Sequence, residues 1–425
     1  MKDLKLTRNP FLLFAPFLLL YIVVIIISRP AEMFGDESRY LIYARYMISG
    51  FIAPSEINFD TLGNGPGYSI ILIPFVALHI PILWMALMNA FFYYFSIILL
   101  YKVLIQIASY RAALIASLFW ACYFNVYETI SFTLPETFTV FLICLIIFCL
   151  INAFNTRNSN KINWHIYISG FAIGYLALTK PIFGYVLIFM LTGIVVLWLI
   201  NKRSTTHKRS LLILLVALCT TLPYLVYTYQ LTGKIFYWSS FGGNNLYWMS
   251  TPYEREYGNW HAYQYSPNAM ENIAGSEETI RIHHQQAFEV FEKYQGVEQD
   301  DMLKKLAINN IKSHPIKYIQ NCISNVGRII FNFPYSYKMQ RARTLLRLPA
   351  NGIILVLAFF CLIPTLKNWG KIIFPIRFLL FFSLLYFGGS ILGSADIRMF
   401  TIIVPILLIW ITFIIQKSAK INLSW

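Results

Sequence analysis

Residues 11–28 read FLLFAPFLLLYIVVIIIS, and after four more residues the chain runs into Met33-Phe34-Gly35-Asp36-Glu37-Ser38-Arg39-Tyr40. The first stretch is close to the roughly 20 apolar residues that cross a bilayer core. The second puts two adjacent carboxylates immediately behind it. Lys2, Lys5 and Arg8 precede the apolar run, as in a secretory signal, but the run is long for a signal core and no small-residue cleavage site follows. A retained first membrane helix is expected.

The composition extends that reading to the whole chain. Of 425 residues, 58% are hydrophobic, 17% aromatic and only 12% charged, against an apolar share of roughly 45–50% in soluble domains. Stretches able to span lie at 11–28, 82–100, 112–130, 136–154, 164–178, 182–200, 211–229, 351–366, 372–392 and 400–415. The expected fold is an all-α polytopic membrane protein with about ten transmembrane helices. Residues 68–80 are too short to span and are expected in the interface or as a re-entrant element. Five of the six cysteines, Cys122, Cys144, Cys149, Cys219 and Cys361, fall in apolar runs and only Cys322 in a polar one, so no disulfide or zinc framework is indicated.

Charge placement gives the topology. If the N-terminus is cytoplasmic, the segments on its side, 1–10, 101–111, 155–163, 201–210, 367–371 and 416–425, hold 15 cations and one acid, Asp3; the rest of the chain holds 19 cations and 18 acids. The formal net charge of +15 is thus almost wholly a positive-inside bias, with both termini cytoplasmic. The cations form scattered helix flanks and no continuous stripe, which excludes a nucleic-acid surface. Residues 29–80, 128–136, 230–348 and 393–398 then face the outside together.

The chain divides into an N-terminal transmembrane module at 1–229 that includes the first external loop (29–80), an external segment at 230–348, and C-terminal transmembrane helices at 349–425. The external segment is no linker. Its second half predicts amphipathic helices at 276–294, 300–313 and 316–333, with Pro315 near a helix start. Its first half, 233–260, is rich in Tyr, Trp, Gly and Asn, which suits either an aromatic belt or a sugar-packing surface.

Several residues there carry chemistry. Asp36 and Glu37 open a short interfacial helix that stops at Gly50; Asp36 is either an ordinary helix N-cap or a catalytic carboxylate. Lys180, between two apolar runs, either snorkels to the interface or serves function. Arg398 either pairs with nearby Asp396 or binds an anion, and Glu136 is either a first-turn acid favoured by the helix dipole or part of a site. Histidines 261, 283, 284 and 314 show no metal-ligand spacing.

In order along the chain, Asp36-Glu37-x-Arg39-Tyr40, Ala44, Met47, Gly50, Pro54 and Gly65-Pro66-Gly67-Tyr68 resemble the first external loop of the C-type (GT-C) glycosyltransferases. The nearest groups are the bacterial members similar to protein O-mannosyltransferases and to the aminoarabinose transferases of lipid A. Pro135-Glu136, Gly170-x-x-x-Gly174 with Leu178-Thr179-Lys180-Pro181, Gly243-x-Asn245-Leu246-Tyr247, His314-Pro315 and Arg398 with Pro405 continue the resemblance in the family's order. Two departures, Gly65-Pro66-Gly67 in place of Lys-Pro-Pro and Met399 in place of a Tyr, favour the broad family over the aminoarabinose enzymes.

The resemblance implies an inverting transferase that moves a sugar from a polyprenyl-phosphate carrier to an acceptor hydroxyl at the outer face. By this carry-over Asp36 is the general base and Glu37 orients the acceptor or tunes Asp36. Lys180, Arg398 and Arg39 hold the donor phosphate, and Tyr40, Tyr68, Glu136, Asn245 and Tyr247 contact substrate. No cofactor is expected; a divalent metal would require Asp36, Glu37, Glu136 and a histidine to converge, and the oxygen-ligand spacing is not diagnostic of one. Partners are the lipid-linked sugar, a glycan, lipid or protein acceptor, and membrane lipids, with no nucleic acid; the location is a bacterial inner or plasma membrane. The rival reading is a transporter or flippase, which places charge near the bilayer midplane.

Overall fold

The computed structural model describes residues 9–33, 35–50, 62–155, 163–261, 275–338 and 343–422. The cations Lys2, Lys5, Arg8, Arg157 and Lys161, together with Pro54, lie outside them. The described chain is helical, with α1 (Pro10–Ser28), α2 (Glu37–Ile48), α3 (Gly67–Ala77), α4 (Ile82–Ile107), α5 (Tyr110–Ala121), α6 (Phe124–Tyr127), α7 (Glu136–Asn155), α8 (Trp164–Thr179), α9 (Ile182–Ile200) and α10 (Thr205–Thr232) forming the first module. The stretch 230–348 holds α11 (Gly242–Met249), α12 (Ser276–His283), α13 (Gln285–Lys293), α14 (Gly296–Ser313) and α15 (Pro315–Phe331), and the chain closes with α16 (Arg343–Lys367), α17 (Phe374–Leu392) and α18 (Arg398–Asn422).

Eight helices among the described residues are long and apolar enough to cross a membrane. Two of the ten expected spans are shorter: the stretch 112–130 stops at Ala121 and continues only as the four-residue α6, and α8 has 16 residues. At 1.5 Å per residue α8 rises about 24 Å. α3, with 11 residues, is the short apolar element expected at 68–80.

α7 and α18 are the inner helices and pack on each other, while α1 and α16 lie at the periphery. Lipid offers no hydrophobic drive between helices, so close approach must come from small residues. Gly170 and Gly174 supply it: a Cβ on either would stand 2.6 or 2.5 Å from the carbonyl oxygen of Ile213 or Ala217 on α10.

Helices α11 to α14 have a small core of their own, Tyr247, Trp248, Ile280, Ala287, Val290, Leu303 and Ala307. The helix expected over 276–294 is broken at His284, whose buried imidazole meets Glu256 (Nε2 to Oε2, 2.9 Å). α15 fastens this unit to the membrane helices through one stripe of side chains at i, i+4 and i+7. Asn321 donates to the Met249 and Thr251 carbonyls, Asn325 to those of Ser390, Ile391 and Gly393, and Arg328 to those of Tyr257, Gly258, Pro334 and Ala395. The turn leading into α18, and hence Arg398, is held by these bonds.

Candidate active site

The C-terminal ends of α1 and α8 and the N-terminal ends of α2, α7, α9 and α18 meet at one end of the bundle. Residues from most of them line a cavity of about 960 Å³. Asp36, Arg39, Tyr40, Lys180, Asn245 and Arg398 all line it, although they are spread over more than 360 positions of the chain.

Asp36 occupies the N-cap position of α2, yet its carboxylate accepts no helix N–H. It faces Arg39 Nη2 and, at 3.7 Å, Arg398 Nη1, so it does not serve as a simple helix cap. Arg39 also lies over the Phe241 ring, 5.1 Å from its centroid. Lys180 does not snorkel outward. Its Nζ donates to Glu136 Oε1 at 2.9 Å, and its side chain is 14% exposed. Arg398 combines both readings made of it, because its Nε pairs with Asp396 at 3.1 Å while its Nη1 lies 3.6 Å from Glu136. The Arg398 guanidinium and backbone N–H hold Asp396 below the usual carboxylate range, against the opposing effect of burial.

The hairpin that presents Lys180 is positioned by glycine. A Cβ on Gly65 would fall 1.9 Å from the Leu178 carbonyl oxygen, and one on Gly67 would fall 2.5 Å from Thr179 Oγ1. Tyr175 donates to the Gly67 carbonyl at 2.8 Å, which completes the seam. On the other side, Ser239 donates to the Gly63 carbonyl and the Ser240 N–H to Leu62, so the first loop is zipped to the entry of α11. The α11 N–H groups of Gly243 and Asn244 both donate to Asp300 Oδ1; burial raises the Asp300 pKa to about 6 despite those two bonds.

Four expected site residues stand outside the lining. Glu37 does not line the cavity: it is fully buried, pairs with Arg29 and accepts the Thr133 N–H at 2.6 Å. Successive helical residues differ by about 100° in direction, so adjacent carboxylates at a helix start face different surroundings. Tyr247 belongs to the core of α11 to α14, its hydroxyl against His284 Nδ1 at 2.8 Å. Tyr68 is buried behind Tyr40, edge to face with ring centroids 5.3 Å apart, and Glu136 sits just behind the lining as the partner of Lys180 and Arg398.

Sequence reasoning missed the polar arm formed by Glu128, Asn332, Tyr335, Lys338 and Arg347, and the buried amide atoms Asn64 Nδ2 and Asn244 Oδ1 of the cavity wall, which have no protein partner among the described residues. The Arg347–Glu128 pair joins positions 219 residues apart, which leaves no local pattern to read. Among the described residues no group of three or more His, Cys, Asp or Glu side chains is placed to hold a metal; Asp36, Glu37 and Glu136 each face cations.

No family model matches the sequence, and no curated protein is similar to it. Solved structures are. An oligosaccharyltransferase of Archaeoglobus fulgidus, tethered to an acceptor peptide, matches over 97% of this chain and 50% of its own, with a TM-score of 0.51 and 12% identity. The archaeal oligosaccharyltransferase AglB from the same organism, in complex with an inhibitory peptide and a dolichol-phosphate, matches over 97% and 51% with a TM-score of 0.48 and 13% identity. ArnT from Cupriavidus metallidurans, bound to undecaprenyl phosphate, matches over 96% and 79% with a TM-score of 0.40 and 14% identity. The chain spans about half the length of the oligosaccharyltransferases. The likeness to the first of these shows a shared fold.

Proposed function

We propose that the chain is a membrane glycosyltransferase that moves a sugar from a polyprenyl-phosphate donor to an acceptor hydroxyl at the outer face of a bacterial inner or plasma membrane, with both termini cytoplasmic. Fold alone does not carry activity. The observation that does is a single cavity presenting a carboxylate, Asp36, beside two cations, Lys180 and Arg398, and opening into an apolar arm between α9 and α17. The charged groups gather at one end of the bundle, which favours an enzyme over a transporter with a midplane site.

In the proposed reaction the acceptor oxygen attacks the anomeric carbon from the face opposite the phosphate. Its proton passes to Asp36, the glycosidic C–O bond to phosphate breaks, and the electron pair leaves on the phosphate oxygen; the products are an inverted glycoside and polyprenyl phosphate. Lys180 and Arg398 stabilise the charge that develops on the leaving phosphate. A sugar hydroxyl both donates and accepts, so it can satisfy Asn244 Oδ1 and Asn64 Nδ2.

Purified protein incubated with a panel of polyprenyl-phosphate sugars is expected to bind at least one and hydrolyse it slowly without acceptor; no binding to any member overturns the reading. Lys180→Ala and Arg398→Ala should each weaken that binding by roughly 10- to 100-fold, the worth of about 1.5–3 kcal/mol for a hydrogen bond to a charged group. Normal affinity in both variants would show that other residues hold the phosphate.

The prenyl tail is assigned to the arm lined by Ile182, Val186 and Phe189 of α9 and by Leu384, Leu385 and Gly388 of α17. A Cβ on Gly388 would meet nothing within 4 Å. Gly388→Trp should therefore fill the arm and raise KM about tenfold for a long-chain donor, equivalent to about 1.4 kcal/mol, while a short-chain analogue is little affected. Equal effects on both donors would place the tail elsewhere.

A further inference from the structure

The cavity wall carries more positive charge than the donor phosphate requires. Arg39, Lys180 and Arg398 share Asp36, Glu136 and Asp396, and that end of the cavity is balanced. The polar arm is not. Two further cations line it, Arg347 and Lys338, with Arg328 buried against Tyr335, and among the described residues Glu128 and the already shared Asp396 are the carboxylates that face them.

Glu128 meets Arg347, and among the described residues Lys338 and Arg328 are left with no carboxylate in direct contact. Arg347 commits Nε (2.9 Å) and Nη2 to one oxygen of Glu128, while its buried Nη1 has no partner among the described residues. Arg328 is fully buried and bonded chiefly to carbonyl oxygens, which satisfy its donors without cancelling its charge. Lys338 lines the cavity with Nζ 5.5 Å from the Tyr335 ring centroid, and among the described residues no carboxylate lies within 4 Å of it. Tyr335 is itself fixed by donating to Asn332 Oδ1 at 2.8 Å. A buried positive excess is costly unless something paired with it carries negative charge.

We infer that this arm is a second anion subsite, in which Lys338 and Arg347 receive a phosphate or carboxylate group carried by the acceptor. The acceptor class is then an anionic one, with the attacking hydroxyl held toward Asp36 by a charge-assisted anchor further along the same wall. A guanidinium edge beside an ammonium suits an oxyanion, since the planar fork fixes orientation while the lysine follows as a point charge. The inference rests on the transferase reading for the word acceptor, but the anion site stands on the wall charges alone.

The test is titration of the full-length protein in neutral phosphatidylcholine nanodiscs with glycerol phosphate, and with glycerol as the uncharged control. Wild type is expected to show two phosphate sites and no glycerol binding. Lys338→Gln should weaken one site at least tenfold, whereas Lys180→Ala should weaken the other. Arg347→Lys keeps the charge beside Glu128 and gives a second handle on the first site if Lys338→Gln does not fold. A single site lost with Lys180→Ala alone, or two sites that neither Lys338→Gln nor Arg347→Lys disturbs, overturns the inference.

Repeating the titration in nanodiscs containing phosphatidylglycerol separates the sources: competition at the Lys338 site supports a lipid headgroup, and undiminished ester binding supports a soluble or polymeric phosphate. Hydrolysis of polyprenyl-phosphate sugars is read separately. Hydrolysis with only one phosphate site sinks this inference and spares the transferase, whereas two phosphate sites with no hydrolysis do the reverse.

Discussion

Asp36→Asn is expected to lower sugar transfer by about 10²- to 10⁴-fold, the usual contribution of a positioned general base, while leaving expression and thermal unfolding close to wild type. The substitution keeps the shape of the side chain and removes its proton affinity. Arg398 retains Asp396 and Glu136 as partners, and Arg39 keeps its place over Phe241, so the surrounding wall has no reason to collapse. The carboxylate is 31% exposed and makes no helix-capping bond that folding depends on. The measurement is turnover of whichever polyprenyl-phosphate sugar the panel identifies, compared with donor binding by the same variant. Wild-type turnover would remove Asp36 from the chemistry; lost turnover with intact donor binding is the signature of a base.

Much of the architecture is legible from the sequence because apolar run length is a one-dimensional property, and eight of the ten stretches read as spans appear as helices of spanning length. The two shorter elements show the limit. Residues 112–130 are apolar enough, but the chain turns after Ala121, where the Cys122 N–H bonds back to the Leu118 carbonyl, the Tyr123 N–H bonds to that of Trp120, and a new short helix begins at Phe124. Hydropathy counts residues and does not see a turn made of Cys, Tyr and Asn.

At the site the same division holds. Asp36, Lys180 and Arg398 are readable because charge beside an apolar run needs a reason, and the structure brings all three to one cavity. Apart from Asp396 beside Arg398, their partners are not readable. Glu136 meets Lys180 across 44 positions, and the Asn321, Asn325 and Arg328 stripe looks like the solvent face of an amphipathic helix until its carbonyl partners are known. The signal available was the i, i+4, i+7 spacing of residues with long polar reach. Lys338 carried no signal, since its position over Tyr335 depends on the path of the chain after α15.

The adjacent carboxylates should then separate cleanly by experiment, and Glu37 is where stability is at stake. Its carboxylate is fully buried with the Arg29 guanidinium, and the same Oε1 accepts the Thr133 N–H while Arg29 donates to the Ser131 carbonyl at 2.8 Å. The pair thereby ties the end of α1, the start of α2 and the 131–133 turn ahead of Glu136 into one corner. Removing one charge strands the other, which typically costs about 3–5 kcal/mol. Glu37→Gln should accordingly lower the unfolding temperature markedly, and Arg29→Met should do the same. Replacing both with apolar residues of similar size, Arg29→Met with Glu37→Leu, should recover a large part of the loss, because a buried ion pair is often no better than well-packed hydrocarbon and the two changes share one interaction. Activity in the recovered double variant decides the role. If transfer returns with stability, Glu37 works by positioning α2 and, through it, Asp36; if stability returns and transfer does not, the carboxylate of Glu37 acts on the reaction itself despite its absence from the cavity wall.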